Sequence, residues 1–189
     1  VSGRSGCFVA ALLIAALTGC QGQSGTRVLK LAHGLDVAHP VHRAMVHMAD
    51  RLTEISEGRM RVDIYPGGQL GEERELIEML QIGSLAMTKV SASPLESFVP
   101  EMKIFSIPYV FRDHEHLWRV LDGEIGRRLL LAGQRYYLRG LCYYDAGPRS
   151  FYTRDRAVRT PNDLRGLKIR VQKSITSTRM VQTLGGAAT

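Results

Sequence analysis

The chain is short of the features that common catalytic classes need. Cysteine occurs only at positions 7, 20 and 142, with no C-x-x-C pair. No G-x-S-x-G elbow and no phosphate-loop pattern occur either, so the residues support neither a hydrolase nor a nucleotide enzyme. Histidine is present in metal-like company, at His39, His42 and His47 and in His114-Glu115-His116. The first three are spaced by 3 and 5 residues, however, and not as an i, i+4 pair beside an acid. They read as solvated helix positions, and no metal site is expected. There is no internal repeat, and no low-complexity segment beyond the opening residues. The longest apolar run, Phe8 to Leu17, is too short to span a bilayer comfortably.

That run has the length of a signal-peptide core, with Arg4 as a thin basic lead. Residues 1–19 are therefore read as an export signal. Leu17-Thr18-Gly19-Cys20 resembles a bacterial lipobox, which makes Cys20 the expected lipidated end of the mature protein and residues 20–27 a polar linker. An ordinary secretory signal in which Cys20 is incidental is the alternative. Either way Cys7 leaves with the signal, no disulfide framework remains, and Cys142 is expected to be a buried small hydrophobe.

The remainder, in a chain that is 44% apolar and 23% charged overall, is rich enough to fold around a core. Net charge is +7, falling to +6 when Arg4 is removed, and the arginines concentrate between Arg127 and Arg179. A basic second half suggests anionic partners. Nucleic acid is not favoured among them, because the arginines are scattered over predicted strands, turns and helices and the leader directs export.

Hydrophobic periodicity predicts an alternation of strands and helices. Val28 to Ala32 reads as a strand, and Val41, Ala44, Met45, Met48, Ala49, Leu52 and Ile55 as the inward stripe of a helix that Gly58 ends. Arg61 to Tyr65 alternates as a second strand and closes in Pro66-Gly67-Gly68. Glu72 to Ile82 is a helix with an acidic first turn, and Leu85 to Val90 a third strand. This order predicts a parallel α/β sheet with right-handed crossovers, and such sheets bind ligands beyond the carboxyl ends of their strands. After a Pro- and aromatic-rich stretch from Phe98 to Phe111, one helix is expected over His114 to Leu131, with Leu117, Val120, Leu121, Ile125 and Leu129 inward. Strands are expected at Leu138 to Tyr144, Ser150 to Thr153 and Leu167 to Gln172, with a capped turn at Thr160 to Leu164 and a last helix from Ser174 to Leu184. In the strand "LKIRVQ", Leu167, Ile169 and Val171 share one face and Lys168, Arg170 and Gln172 the other. Arg170 is then either a surface charge or a cation at the ligand-binding end of a strand.

Four segments stand in a telling order: "HPVHRAMVHMADRLTEISEGRMRVDIYPGGQLGEERELIEMLQIG", "IPYVF", "GPRSFYT" and "TPNDLRGLKIRVQ". Together they resemble the solute-binding proteins of tripartite ATP-independent periplasmic (TRAP) transporters, the DctP-type family, over residues 28–189. The resemblance implies an α/β, periplasmic binding protein-like fold of type II character, with two lobes that close on a small organic acid. It implies residues 28–137 as lobe I and residues 138–189 as the hinge and the beginning of lobe II. Family members continue further, so the chain is expected to be a partial product, truncated in the second lobe. The resemblance also implies a periplasmic receptor with no catalytic centre and no cofactor, which delivers its ligand to the membrane permease subunits; the lipobox adds the expectation that Cys20 anchors it to a membrane.

By the same resemblance, Arg170 makes a two-pronged contact with the substrate carboxylate, which the fixed fork of a guanidinium suits. Arg149 is a second cation facing the ligand, and mutual repulsion between the two helps hold the empty lobes open. His33 and Glu72 occupy matching positions in the opposite lobe, with Glu73 a rival for Glu72's place. Asp36 and Gln172 are weaker candidates, Gln172 for a ligand hydroxyl, and Lys168 is taken as structural. The wording "HGLDVAHP" and "KIRVQ" looks more like the branch that takes sugar acids such as glucuronate or galacturonate than the one that takes C4-dicarboxylates. The competing functional reading is an exported ligand-binding module that serves a membrane sensor.

Overall fold

The computed structural model describes residues 25–189. The signal, the lipobox with Cys20 and most of the linker lie outside the described residues.

Three parallel strands form the first sheet, in the order β2-β1-β3: β1 is Arg27–Ala32, β2 Met60–Tyr65 and β3 Met87–Thr88. β1 is central and pairs with β2 in unbroken register from Arg27↔Met60 to Ala32↔Tyr65. Covered on both edges, its carboxyl half is buried on both faces, at Leu31 and Ala32. Helix α1 (Pro40–Ile55) lays Met45 and Ala49 against Leu31 and Val62, with Val41, Met48 and Leu52 packed around them. Ala44 and Ile55, predicted inward, are exposed, so the buried stripe is narrower than the apolar one. Proline at the helix start and His39, whose ring accepts from the Val41 N–H at 3.1 Å, set where α1 begins.

Helix α2 (Glu73–Gln81) sits between two apolar clusters. Leu76 packs with Ala32 and Leu85 on the sheet side, and Ile77 packs with Val99, Met102 and Leu138 on the other. A four-residue helix α3 (Ala92–Leu95) and a 3-10 turn (Pro100–Ser106) carry the second cluster. The predicted third strand, Leu85 to Val90, shrinks to Met87 and Thr88, the two residues that pair with Leu31 and Ala32 of β1.

The single helix expected over 114–131 is two helices, α4 (His114–Asp122) and α5 (Glu124–Ala132), separated by Gly123 in an extended conformation. The break restarts the helical register, which leaves Ile125 57% exposed and turns Gly126 inward instead. A Cβ on Gly126 would lie 1.8 Å from the Leu121 carbonyl oxygen, so only glycine permits this approach.

The segments 138–144 and 150–153 form no strand. Aromatic and branched residues favour a ladder only where a partner offers one, and among the described residues none pairs with them. Leu138 is buried in the α2 cluster, but Cys142 is exposed, which corrects its expected place in a core. Farther on, a 3-10 turn (Pro161–Leu164) leads to β4 (Lys168–Ile169), α6 (Ile175–Thr183) and β5 (Ala187–Ala188). β4 and β5 pair in parallel as a second small sheet. Asp163 accepts from the Arg159 and Thr160 N–H groups and the Thr160 hydroxyl, and these bonds hold its carboxyl below the usual carboxylate value.

Candidate functional site between the two sheets

In a sheet ordered β2-β1-β3, the chain changes direction between β1 and β3, and the carboxyl ends of those strands frame the crevice where ligands bind. His33 follows β1 directly, and Lys89 and Ser91 follow β3. The turn after β2 shapes this rim. Gly67 and Gly68 hold left-handed backbones and donate their N–H groups to Leu35 and His33, a geometry that L side chains adopt only under strain.

His33 is completely buried, and both ring nitrogens are engaged. Nδ1 accepts from the Leu35 N–H at 3.0 Å, so Nε2 carries the proton and donates to His42 Nδ1, also at 3.0 Å. Burial, followed by the nearby His42, Lys89 and His39, lowers its pKa from the ordinary 6.5. The structure thus makes His33 a neutral brace for the rim and not a free donor toward a ligand. Asp36 is likewise occupied locally, accepting from the Ala38 N–H at 2.7 Å.

The two candidate glutamates part ways. Glu72 is the backbone cap of α2, is exposed, and makes no side-chain capping bond. Glu73 is half-buried, and its Oε1 accepts from the Ser91 N–H at 2.8 Å and the Ser91 hydroxyl at 3.0 Å, with Lys89 Nζ at 3.6 Å. With its hydroxyl hydrogen directed at Glu73, Ser91 Oγ accepts from Gln172 Nε2 at 3.2 Å. This relay ties the end of the second sheet to the rim of the first. The other amide atom, Gln172 Oε1, is buried without a partner among the described residues.

Arg170 stands one residue past β4, exposed. The alternation predicted for "LKIRVQ" holds through Arg170: Leu167 and Ile169 are half-buried, and Lys168 and Arg170 point outward. Backbone pairing carries the strand on to Val171, whose N–H reaches the Thr189 carbonyl at 3.0 Å. Arg149 is exposed in an irregular stretch, and nothing in its surroundings joins it to Arg170. Neither arginine takes part in the ion pairs among the described residues.

Residues 31–189 match the family model of the bacterial extracellular solute-binding proteins, family 7 (DctP). The chain belongs to this family. A TRAP periplasmic solute-binding protein from Bradyrhizobium sp. btai1, solved in complex with galacturonate, superposes with a TM-score of 0.81 at 41% identity, over 86% of this chain and 54% of that one. The Salmonella typhimurium protein YiiZ, itself uncharacterized, is 36% identical over 164 residues, 86% of this chain and 50% of its own. The C4-dicarboxylate-binding protein DctB of Bacillus subtilis is 31% identical over 154 residues, 82% of this chain and 44% of its own. The chain therefore spans about half the length of these solute-binding proteins. Its fold is the mixed α/β architecture of the TRAP periplasmic receptors, and no helix among the described residues is long and apolar enough to cross a membrane.

Sequence reasoning missed Ser91 and Glu96. Glu96 is 2% exposed, and its carboxylate receives the Ser174 hydroxyl at 2.9 Å and the Thr176 N–H at 3.1 Å. An acid set among Leu95, Phe98 and Val99 was the available signal, since a charge within an apolar run must find partners when it folds inward. Nearby, Arg74, Ser97, Lys173, Thr178 and Arg179 line a cavity of ≈ 370 Å³. Neither Arg170 nor Arg149 reaches it, so it is a hollow distinct from the place of the candidate arginines.

Proposed function

We propose that this protein is the extracytoplasmic receptor of a TRAP transporter, and that it binds a small hydroxylated organic acid, a uronate before a C4-dicarboxylate, and delivers it to the membrane permease. Residues 28–137 act as lobe I, and residues 138–189 as the hinge and the opening of lobe II. Arg170 takes the ligand carboxylate with both prongs of its guanidinium, Arg149 adds a second positive charge, and Glu72 and Gln172 address the hydroxyls. His33 supports the lobe I rim from beneath. Cys20 carries the lipid that keeps the receptor at the membrane.

One observation carries the reading. Arg170 is exposed and without a carboxylate partner just beyond the end of its strand, two residues before Gln172 meets the lobe I rim. A permanently charged fork at such a place suits an incoming carboxylate. Galacturonate in the Bradyrhizobium protein and the dicarboxylate named for DctB bracket the ligand class.

The test is thermal unfolding of the protein from Gln21, with any coding sequence that follows Thr189, against D-galacturonate, D-glucuronate, aldonates and succinate. A ligand that binds only the native state raises the midpoint by mass action. A shift with a sugar acid is expected, and Arg170→Ala should abolish it, weakening binding by about 2 to 5 kcal/mol. A folded protein with no shift for any acid, or an Arg170→Ala variant of unchanged affinity, would overturn the proposal.

A further inference from the structure

We infer that Glu96 is the clasp that pins lobe II to lobe I, a positioning residue that sets where Arg170 stands and about which the lobes turn when they close. The inference rests on the receptor reading for its two lobes, and its geometry is read from contacts within this chain.

A carboxylate that is 2% exposed is costly to keep charged unless donors surround it. Burial pushes the Glu96 carboxyl up, and the hydrogen bonds from Thr176 and Ser174 outweigh that push, so its pKa falls below the ordinary 4.5; Oε1 takes both bonds, and Oε2 is buried without a partner among the described residues. Both donors come from the first turn of α6, almost 80 residues along the chain (|i−j| = 78 and 80). Glu96 Oε1 takes the Thr176 N–H and the Ser174 hydroxyl, while Ser174 Oγ accepts the Ser177 N–H at 2.9 Å. Two of the N–H groups that a helix start leaves unpaired are therefore satisfied, one by the serine cap and one by an anion from the other lobe. The positive end of the α6 dipole favours the charge that it meets.

The position of this contact gives it mechanical meaning. α6 begins five residues after Arg170, and the chain between them is held to lobe I at Gln172 by Ser91 and at Ser174 and Thr176 by Glu96. A buried acid on one body and a capped helix start on the other make a joint that resists sliding yet allows rotation about the carboxylate. Arg170, just before that joint, swings through a short arc. Its distance from Glu72 and the lobe I rim is then fixed by the clasp and not by its own short strand. Glu96 touches no ligand in this scheme.

The test uses the same protein from Gln21, with any sequence encoded after Thr189. In a C142A background, nitroxide labels at H47C and T183C report the distance between α1 and α6, and calorimetry reports the Kd for D-galacturonate. Glu96→Ala should broaden the distance distribution and raise Kd about tenfold, because the arrangement that places Arg170 at the rim is then populated less often. Glu96→Gln keeps the acceptor oxygen and the shape, and should recover part of both. A residue that only stabilises lobe II would lower the urea midpoint and leave distance and Kd unchanged. A folded Glu96→Ala with the wild-type distance distribution would overturn the inference; where that variant does not fold, Glu96→Leu, which fills the space without an acceptor, is read in the same way. If the parent binds no acid at all, the receptor reading falls, and the distance distribution alone decides the clasp.

Discussion

The two sheets of this molecule are built to different standards. β1 and β2 pair over six positions, and three apolar clusters seal the first sheet and its helices between Leu31 and Leu138. β4 and β5 pair over two positions, and the apolar side chains fully buried after residue 138 are Leu164 and Val181. The second sheet leans on the first through polar contacts at Gln172 and Glu96. On the receptor reading proposed above, the difference separates platform from moving part: the better-packed sheet holds the rim, and the exposed arginines ride on the part with less buried apolar area. Elements that move on binding are drawn from the low-stability end of a structure.

The comparison is most easily broken at Ile77, which is fully buried between α2 and the second cluster. Ile77→Ala should cost about 2 to 5 kcal/mol in urea unfolding, whereas Ile169→Ala, at a half-buried place in β4, should cost about 1 kcal/mol or less. Equal losses would mean that the two sheets share one core. A smaller effect is expected at the joint between α4 and α5. Gly126→Ala drives a methyl into the Leu121 carbonyl, and the shift should cost about 1 to 3 kcal/mol. It should also loosen the 2.7 Å bond from the Tyr143 hydroxyl to the Gly126 carbonyl. An unchanged midpoint would show that the α4–α5 pair slides freely.

The smallest effect is a pH dependence peculiar to the first sheet. Burial, chiefly, lowers the pKa of His33 from 6.5, so the folded state keeps the ring neutral where the unfolded chain has begun to protonate it. That contribution is complete above pH 6.5 and is lost as pH falls from there through the folded-state value. His33→Gln should flatten the change in urea midpoint between about pH 7.5 and about pH 5.5. An equal slope in both proteins would assign the dependence to other groups.

Much of the first sheet was legible in the sequence. The stripe of α1 and the alternation of β2 carry their periods in adjacent residues, so their bounds fall within a residue or two of expectation. The place of Arg170 was legible for the same reason, as a cation at the end of an alternating run. The two-helix break at Gly123 was not, because the stripe through Ile125 and Leu129 is continuous on paper. What interrupts it is the close approach of Gly126 to Leu121, a contact that no local period encodes. The strands expected near Leu138 and Phe151 failed because β propensity describes willingness to pair, and no partner is at hand among the described residues. His33 was read as a ligand candidate in lobe I; that its Nε2 meets His42, nine residues later, depends on how α1 folds back on the rim.

By itself the sequence determined the class of fold, the order of the first five elements, the family, and the residue types offered to an anion, since these rest on local period and on motif wording. Tertiary structure alone decided which candidates remain free. Glu72 is left exposed while Glu73 is bound to Ser91, and His33 is buried while Arg170 is open. It also decided that Glu96 crosses to α6. The physical reason is that a polar group's role depends on which donors and acceptors reach it, and those partners stand up to 81 residues away along the chain.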